Sequence, residues 1–335
     1  MTQNTSTFLS LPKLIDLHIH LDGAISLSSA RELLAINKKR IPDDATLKSL
    51  FQVQDPLESL SGFLERFSNI YPLIQTRETL TLITRNLLKE LSDEGLIYVE
   101  IRFAPLLCCR KGLSQEEVLQ AVLDGVKDGP IKCNLILCVL REAEEEANIK
   151  TIHLAHEYLG KGVVALDIAG AEDRCDDQGL GKLIRLIQEH RLPLTVHAGE
   201  ASGADNIKRA LEWGARVIGH GVRAYEDPAV EDCLVQNRIP LTMCPSSNVL
   251  TGVVSQIEDL PIRRYLEKGI PITINTDDPG IEGITLRQEW TKVIQAFHLT
   301  KEEIRQIMLN YIDAAFCKEE EKEWLRKEIL SAYPI

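Results

Sequence analysis

The chain has 335 residues, with 38 Lys+Arg against 50 Asp+Glu and a formal charge of -12. That acidity disfavours nucleic acid and anionic membrane surfaces as partners, since both demand clustered Lys and Arg, and no apolar run approaches the ~20 residues of a membrane span. With 44% hydrophobic and 26% charged residues, the composition is that of a globular chain long enough for two ordinary domains or one large α/β barrel.

The opening residues, MTQNTSTFLSLP, have neither the basic nor the apolar region of a signal peptide. Eight cysteines without a Cys-x-x-Cys pair read as reduced thiols, so a soluble, cytoplasmic protein is expected. Further along, eight β-rich runs predict strands: Lys13–His18, Leu96–Phe103, Lys132–Leu140, Val163–Ile168, Pro193–His197, Arg216–Gly219, Ile239–Met243 and Ile270–Asn275. Helical periodicity fills the intervals, for instance over Gln178–His190 and Asp205–Trp213. Ser114, Thr300 and Asp227-Pro228 carry helix-start chemistry. The interval between the first two strands is long and predicts three helices, Leu27–Ile36, Pro56–Ile74 and Thr76–Ser92. After the last strand come three more, Leu286–Phe297, Lys301–Phe316 and Lys318–Leu330. Eight strand–helix repeats predict a parallel (β/α)8 TIM-type barrel, one domain over residues 1–335, with extra helices after strand one and at the carboxyl end. A doubly wound open sheet fits less well because no Gly-rich phosphate loop follows the first strand.

Active sites of such barrels lie at the carboxyl ends of the strands, and reactive residue types collect there. The first strand ends in His18-Ile19-His20, then Leu21-Asp22-Gly23. Residues two apart in an extended chain share a side, so both imidazoles can reach one metal; taken alone, His-x-His is also compatible with a structural pair. The fifth strand ends in VHAGE (His197, Glu200), the sixth in GHG (His220) and the eighth in NTDDP (Asp277, Asp278). The other four histidines, His153, His156, His190 and His298, fall in helical segments, where solvated or capping roles are expected. Three imidazoles and a carboxylate suit Zn²⁺, which makes hydroxide available at neutral pH. A carboxyl group beside it, Glu200, can serve as general acid and base. The fourth strand ends in Asp167-Ile168-Ala169-Gly170, without the lysine that commonly bridges two metals, so one metal is expected.

The ordered motifs HLDGA, DIAG, TVHAGE, IGHG, CPSSN and NTDDP, spanning residues 18 to 280, resemble the adenosine deaminase family of zinc-dependent amidohydrolase barrels. The other zinc deaminase pattern, His-x-Glu with Pro-Cys-x-x-Cys, is absent. The resemblance implies one Zn²⁺ per chain on His18, His20, His197 and Asp277, with His20 also at the substrate. It implies that Glu200 protonates purine N1 and that His220 positions the attacking water, whose proton Asp277 can take. Asp278 would bond N7, the Gly170 N–H would bond N3, and Asp22 would accept from a ribose hydroxyl. In the insertion, Leu57, Leu60, Phe63, Leu64 and Phe67 fall on one helix face. Ordinary packing explains most of them; the resemblance makes the segment a lid with Phe63 facing the ligand. The second-strand motif reads Arg102-Phe103-Ala104-Pro105 where many relatives have Ser after the aromatic, so no polar contact from position 104 is carried over, and no metal ligand or proton donor is touched.

The implied reaction is hydrolytic deamination of adenosine and 2′-deoxyadenosine to inosine and deoxyinosine, on a small-molecule purine nucleoside. Other 6-aminopurine deaminases remain as alternatives. Adenine deaminases tend to carry Glu in place of Asp22, deaminases of N6-methylated AMP often carry Asn there, and large AMP deaminases have an additional amino-terminal region. Deaminases of 6-aminodeoxyfutalosine share most of the motifs. A catalytically silent purine-binding protein would be marked by loss of Glu200, His220 or a ligand, and a cyclic-amide hydrolase would usually want a second metal. Nothing in the pattern sets an oligomeric state.

Overall fold

The computed structural model describes residues 11–53, 55–57, 59–174 and 177–334. Most of the stretch read for a signal peptide, and Cys175, lie outside them. Eight strands run in order and all pair in parallel: β1 (Leu14–His20), β2 (Leu96–Phe103), β3 (Lys132–Leu140), β4 (Val163–Ala169), β5 (Leu194–Ala198), β6 (Val217–His220), β7 (Leu241–Met243) and β8 (Ile272–Ile274). The sheet nearly closes on itself just past β8. His20 N–H donates to the Asp277 carbonyl at 2.8 Å, and Asp277 N–H donates to the His18 carbonyl at 2.8 Å. Side chains finish the seam: Asn275 Oδ1 accepts from Leu17 N–H at 3.0 Å, while Asp16 accepts from the Thr276 hydroxyl at 2.7 Å and from His18 N–H at 3.0 Å. The architecture is therefore a (β/α)8 barrel.

The strands form where branched apolar residues run nearly without interruption, as in VVALDIA and LTVHA, because both faces are covered. Some helices of the outer ring begin at side-chain caps. Ser114 and Thr300 each complete a capping box with the Glu three residues on, and Asp227 accepts from Ala229 N–H with Pro228 at the first helical position. The helices Leu286–Phe297, Lys301–Ala314 and Glu319–Ala332 follow β8. Asn310 donates to the Ile272 carbonyl at 3.0 Å, and the Tyr311 hydroxyl lies at both Ile274 backbone groups, anchoring the last strand from outside.

The insertion between β1 and β2 departs from expectation. Leu27–Ile36 forms as predicted, and Thr76–Ser92 forms as Arg77–Asp93. The single helix expected over Pro56–Ile74 is instead a short helix, Leu60–Leu64, followed by two 3₁₀ turns, Glu65–Asn69 and Tyr71–Leu73. Pro72 contributes, having no N–H to continue an α-helical ladder. An unpredicted helix, Asp44–Phe51, starts at Asp43, whose side chain accepts from Thr46 N–H. Two more short helices, Pro245–Leu250 and Pro279–Glu282, follow β7 and β8. Among the described residues seven cysteines are free, and no helix is long and apolar enough to cross a membrane.

Candidate active site

The carboxyl ends of the strands bring His18, His20, His197, His220, Glu200, Asp277 and Asp278 into one buried cluster. His18 Nε2 stands 3.1 Å from His197 Nε2 and 3.3 Å from Asp277 Oδ1. His20 Nε2 is 3.3 Å from both of those atoms. A tetrahedron with bonds of about 2.0–2.1 Å has edges of roughly 3.3 Å, so these four atoms have the spacing of ligands around one small cation.

Hydrogen bonding on the far side of the rings strengthens that fit. Thr242 Oγ1 donates to the Ile218 carbonyl and is thereby an acceptor for His18 Nδ1–H at 2.8 Å. His197 Nδ1–H donates to Asp167 Oδ1 at 3.1 Å. Both rings therefore turn a lone pair, not a proton, toward one another across 3.1 Å. Asp277 adds a carboxylate oxygen, its other oxygen accepting from the Ser247 hydroxyl at 2.7 Å. Acceptors facing acceptors in a buried space call for a cation between them. Burial also favours neutral imidazoles, pushing His20 down to about 3 and His18 well below the usual histidine range.

His220 stands beside these four, its donor atom within 4.8 Å of those of His18, His197 and Asp277. Its Nε2 is 3.7 Å from Asp277 Oδ2 and 3.6 Å from Glu200 Oε2, longer than the 3.1–3.3 Å contacts of the cage. The Asn248 amide donates to its Nδ1 at 3.1 Å, leaving the ring proton on Nε2. His220 and Asp277 both adopt the left-handed backbone region, φ 62° and 67°. Such conformations are costly for residues other than glycine and persist where a site over-determines them.

The carboxyl groups differ in character. Burial, together with the negative charges of Asp277 and Glu172, holds Glu200 well above the usual carboxyl range, favouring its protonated form. Burial and neighbouring Asp277 hold Asp278 up in the same way. Asp277 itself is driven the other way: burial opposes its ionisation, but His18, His220 and His20 around it prevail. Glu200 Oε1, Asp278 Oδ1, Asp22 Oδ1 and His220 Nε2 are buried polar atoms without a hydrogen-bond partner. All four residues line the same pocket, where unpaired groups are ready for a ligand.

Asp22, Phe63, Gly170 and Asp278 also line that pocket, with Leu60, Leu64, Phe67 and Tyr71 over its outer side. Gly170 sits at φ 98°, and a Cβ there would overlap the Glu142 carboxylate. A Cβ on Gly23 would overlap the Asp278 carboxylate, which explains the glycine after Asp22. Phe63 is buried, with its ring 6.3 Å from that of Phe67. The Ser61 hydroxyl donates to Asp173 at 2.6 Å, tying the covering segment to the loop after β4. His153, His156 and His190 gather elsewhere, on the outside of the helical ring, and His298 caps the helix Leu286–Phe297.

Several supporting residues escaped the sequence reading. Arg102 crosses the barrel interior, donating to Asp167 at 2.7 Å and to the Leu17 carbonyl at 2.7 Å. Asp167, Thr242, Ser247 and Asn248 orient ligands and wall, and Glu172 holds the loop bearing Glu200. Position was a signal for Asp167 and Glu172, within and just after β4, whose end carries Gly170, while Ser247 and Asn248 lie in the CPSSN motif.

Comparison with known proteins gives consistent relatives. The family model described as "Adenosine deaminase" matches residues 12–332. The adenosine deaminase of Haemophilus ducreyi is 38% identical over 331 residues, covering 96% of each chain. That of Enterococcus faecalis is 34% identical over 330 residues, covering 96% of this chain and 97% of its own. Among solved structures, the N6-methyl-AMP deaminase of Arabidopsis thaliana superposes with a TM-score of 0.85 at 27% identity, covering 99% of each chain.

Proposed function

We propose that this chain, which belongs to the adenosine deaminase family, is a metal-dependent hydrolase that converts adenosine and 2′-deoxyadenosine to inosine and deoxyinosine with release of ammonia. The observation that carries this reading is the juxtaposition of a four-acceptor cage with the buried, unpartnered carboxyl of Glu200 and the ring Nε2 of His220.

His18, His20, His197 and Asp277 would hold one ion. Three imidazoles and a carboxylate suit Zn²⁺. When bound, such an ion supplies a nucleophile by lowering the pKa of a water to about 7. Glu200 then donates its proton to purine N1, withdrawing electron density from C6. His220 Nε2–H orients the attacking oxygen and stabilises its charge, and Asp277 can accept the proton that oxygen sheds. Asp278, whose protonated form burial favours, donates to N7, while the Gly170 N–H donates to N3. His20 and Phe63 flank the base, and Asp22 accepts from a ribose hydroxyl. The groups complement a tetrahedral C6 rather than the flat purine, so turnover is favoured over ground-state binding.

The pocket also argues for nucleosides over nucleotides. Asp22, Glu142, Glu200, Asp277 and Asp278 line it, and no Lys or Arg does among the described residues. A 5′-phosphate would enter without a cation to meet it. Ammonia release should be compared for adenosine, 2′-deoxyadenosine, adenine, AMP and 6-aminodeoxyfutalosine. Preference for the two nucleosides supports the assignment; preference for AMP or adenine overturns the substrate while leaving the chemistry.

A further inference from the structure

Glu172 is a buried carboxylate on the loop after β4, three residues beyond the strand, and it is 3% exposed. Five N–H donors converge on it. Oε1 accepts from Gly199 N–H at 2.8 Å and from the Asn206 amide at 2.9 Å. Oε2 accepts from Glu200 N–H at 3.0 Å, Ala201 N–H at 2.9 Å and Ser202 N–H at 3.1 Å. The Ser202 hydroxyl returns a bond to the Glu172 carbonyl at 2.9 Å. Four consecutive backbone amides aimed at one point form an anion-binding nest, and here the anion is the chain's own side chain. Gly199 makes the turn possible, with φ 67° and Ile207 occupying the space a Cβ would need.

Glu200 has no comparable support of its own. Among the described residues its Oε1 has no hydrogen-bond partner, and its Oε2 stands 3.6 Å from His220 Nε2. The direction of that carboxyl is consequently set by its backbone, and the backbone is set by the nest. We infer that Glu172 is a positioning residue for the deamination: it clamps the Gly199–Ser202 loop so that the Glu200 carboxyl meets the purine at the correct angle. The inference rests on the reading of Glu200 as proton donor. The negative charge of Glu172 also favours the protonated form of Glu200.

A carboxylate offers about four lone-pair sites on two oxygens, whereas an amide has one acceptor oxygen. Glu172→Gln keeps the shape but turns an NH₂ toward donors, releasing one side of the nest. Misplacing a reacting group by about 1 Å costs on the order of 10²-fold. For the metal-loaded protein, kcat for adenosine should therefore fall about 10²-fold while KM stays within about threefold, because only the Glu200 contact to N1 is displaced and the contacts to N3, N7 and the sugar come from groups off this loop. Hydrogen exchange of amides 199–202 should quicken about tenfold or more as the loop opens locally. Glu172→Asp, which keeps the charge and loses reach, should be intermediate in both readouts and serves if the Gln variant does not fold. A wild-type kcat in either folded variant, exchange unchanged at these amides, or a kcat loss that only tracks the fraction of folded protein would overturn the inference. Failure of the deaminase reading would appear differently, as no ammonia from any purine with the wild type, and the exchange experiment tests the clamp without turnover.

Discussion

Asp167 offers the sharpest test of how the barrel interior prepares the site. It is fully buried and serves two partners at once, Arg102 Nη1 at 2.7 Å and His197 Nδ1 at 3.1 Å. Burial would raise its pKa, but His197 and Arg102 overcome that and hold it far below the usual carboxyl range. Asp167→Asn keeps the volume and removes the charge. If the amide oxygen stays on Arg102, the NH₂ faces His197 Nδ1 and forces it to become an acceptor. The ring proton then moves to Nε2, the atom aimed at the cage, the same wrong-tautomer logic by which a triad Asp→Asn change disables a serine protease. Loss of such an outer partner typically costs 10–100-fold in metal affinity, about 1.4–2.7 kcal/mol. Arg102, 1% exposed, also loses its buried counter-charge. Breaking a buried pair costs about 3–5 kcal/mol, and the retained oxygen contact places the Asn variant near the lower end, about 3 kcal/mol. With an unfolding entropy of about 2.1 cal/mol/K per residue, or about 0.7 kcal/mol/K for this chain, that is a Tm drop of about 4 °C. Metal retained after graded chelator dialysis and Tm of the metal-free protein separate the two contributions. Unchanged metal affinity together with unchanged Tm would refute the reasoning.

Three further outcomes are expected. Glu200→Gln should keep its metal and bind inosine while losing most turnover, and the wild-type kcat should fall as pH rises through the raised pKa of Glu200, because the protonated form is the active one; normal turnover in the variant, or an acid limb only in the profile, counts against the proton-donor role. Asp22→Ala should impair adenosine use far more than adenine use in steady-state assays, and equal losses would remove Asp22 from the sugar contact. Phe63→Ala deletes a side chain buried to 1% exposure, which should cost about 3–5 kcal/mol by denaturant titration and raise KM for adenosine; an unchanged KM would show that the covering helix does not contact the ligand.

Much of this was readable in the sequence because parallel barrel strands are covered on both faces. LIYVEIRF and KCNLILCVL are rich in branched apolar residues despite their few polar positions, and β2 and β3 have the bounds expected of them. The reactive residues were legible because each lies in the carboxyl half of a strand or within a few residues after it, so periodicity and position agree. What was hidden depends on contacts between distant segments. Asp167 was noted for not being lysine, yet its work comes from Arg102, 65 residues away, and from His197, 30 residues away. Glu172 looks like any loop acid until β5 brings four amides to it. The segment after Pro56 has helical spacing of apolar residues, but Pro72 and the need to cover the barrel mouth break it into short turns. Asp44–Phe51 carries a start signal in the Asp43 cap, with Leu47 and Phe51 one turn apart, but its two turns hold too few apolar positions to set a period.

The central claim is that one metal in the His18, His20, His197 and Asp277 cage and the chain's own acid together deaminate a purine nucleoside. Its most direct test is metal content and ammonia release from adenosine on the same purified sample, before chelation, after chelation and after readdition of Zn²⁺. The account predicts about one ion per chain, matching the single cage of four ligands, with activity that disappears and returns with it. Full adenosine turnover by the metal-free protein, or a stoichiometrically zinc-loaded protein that releases no ammonia from any purine, would contradict it.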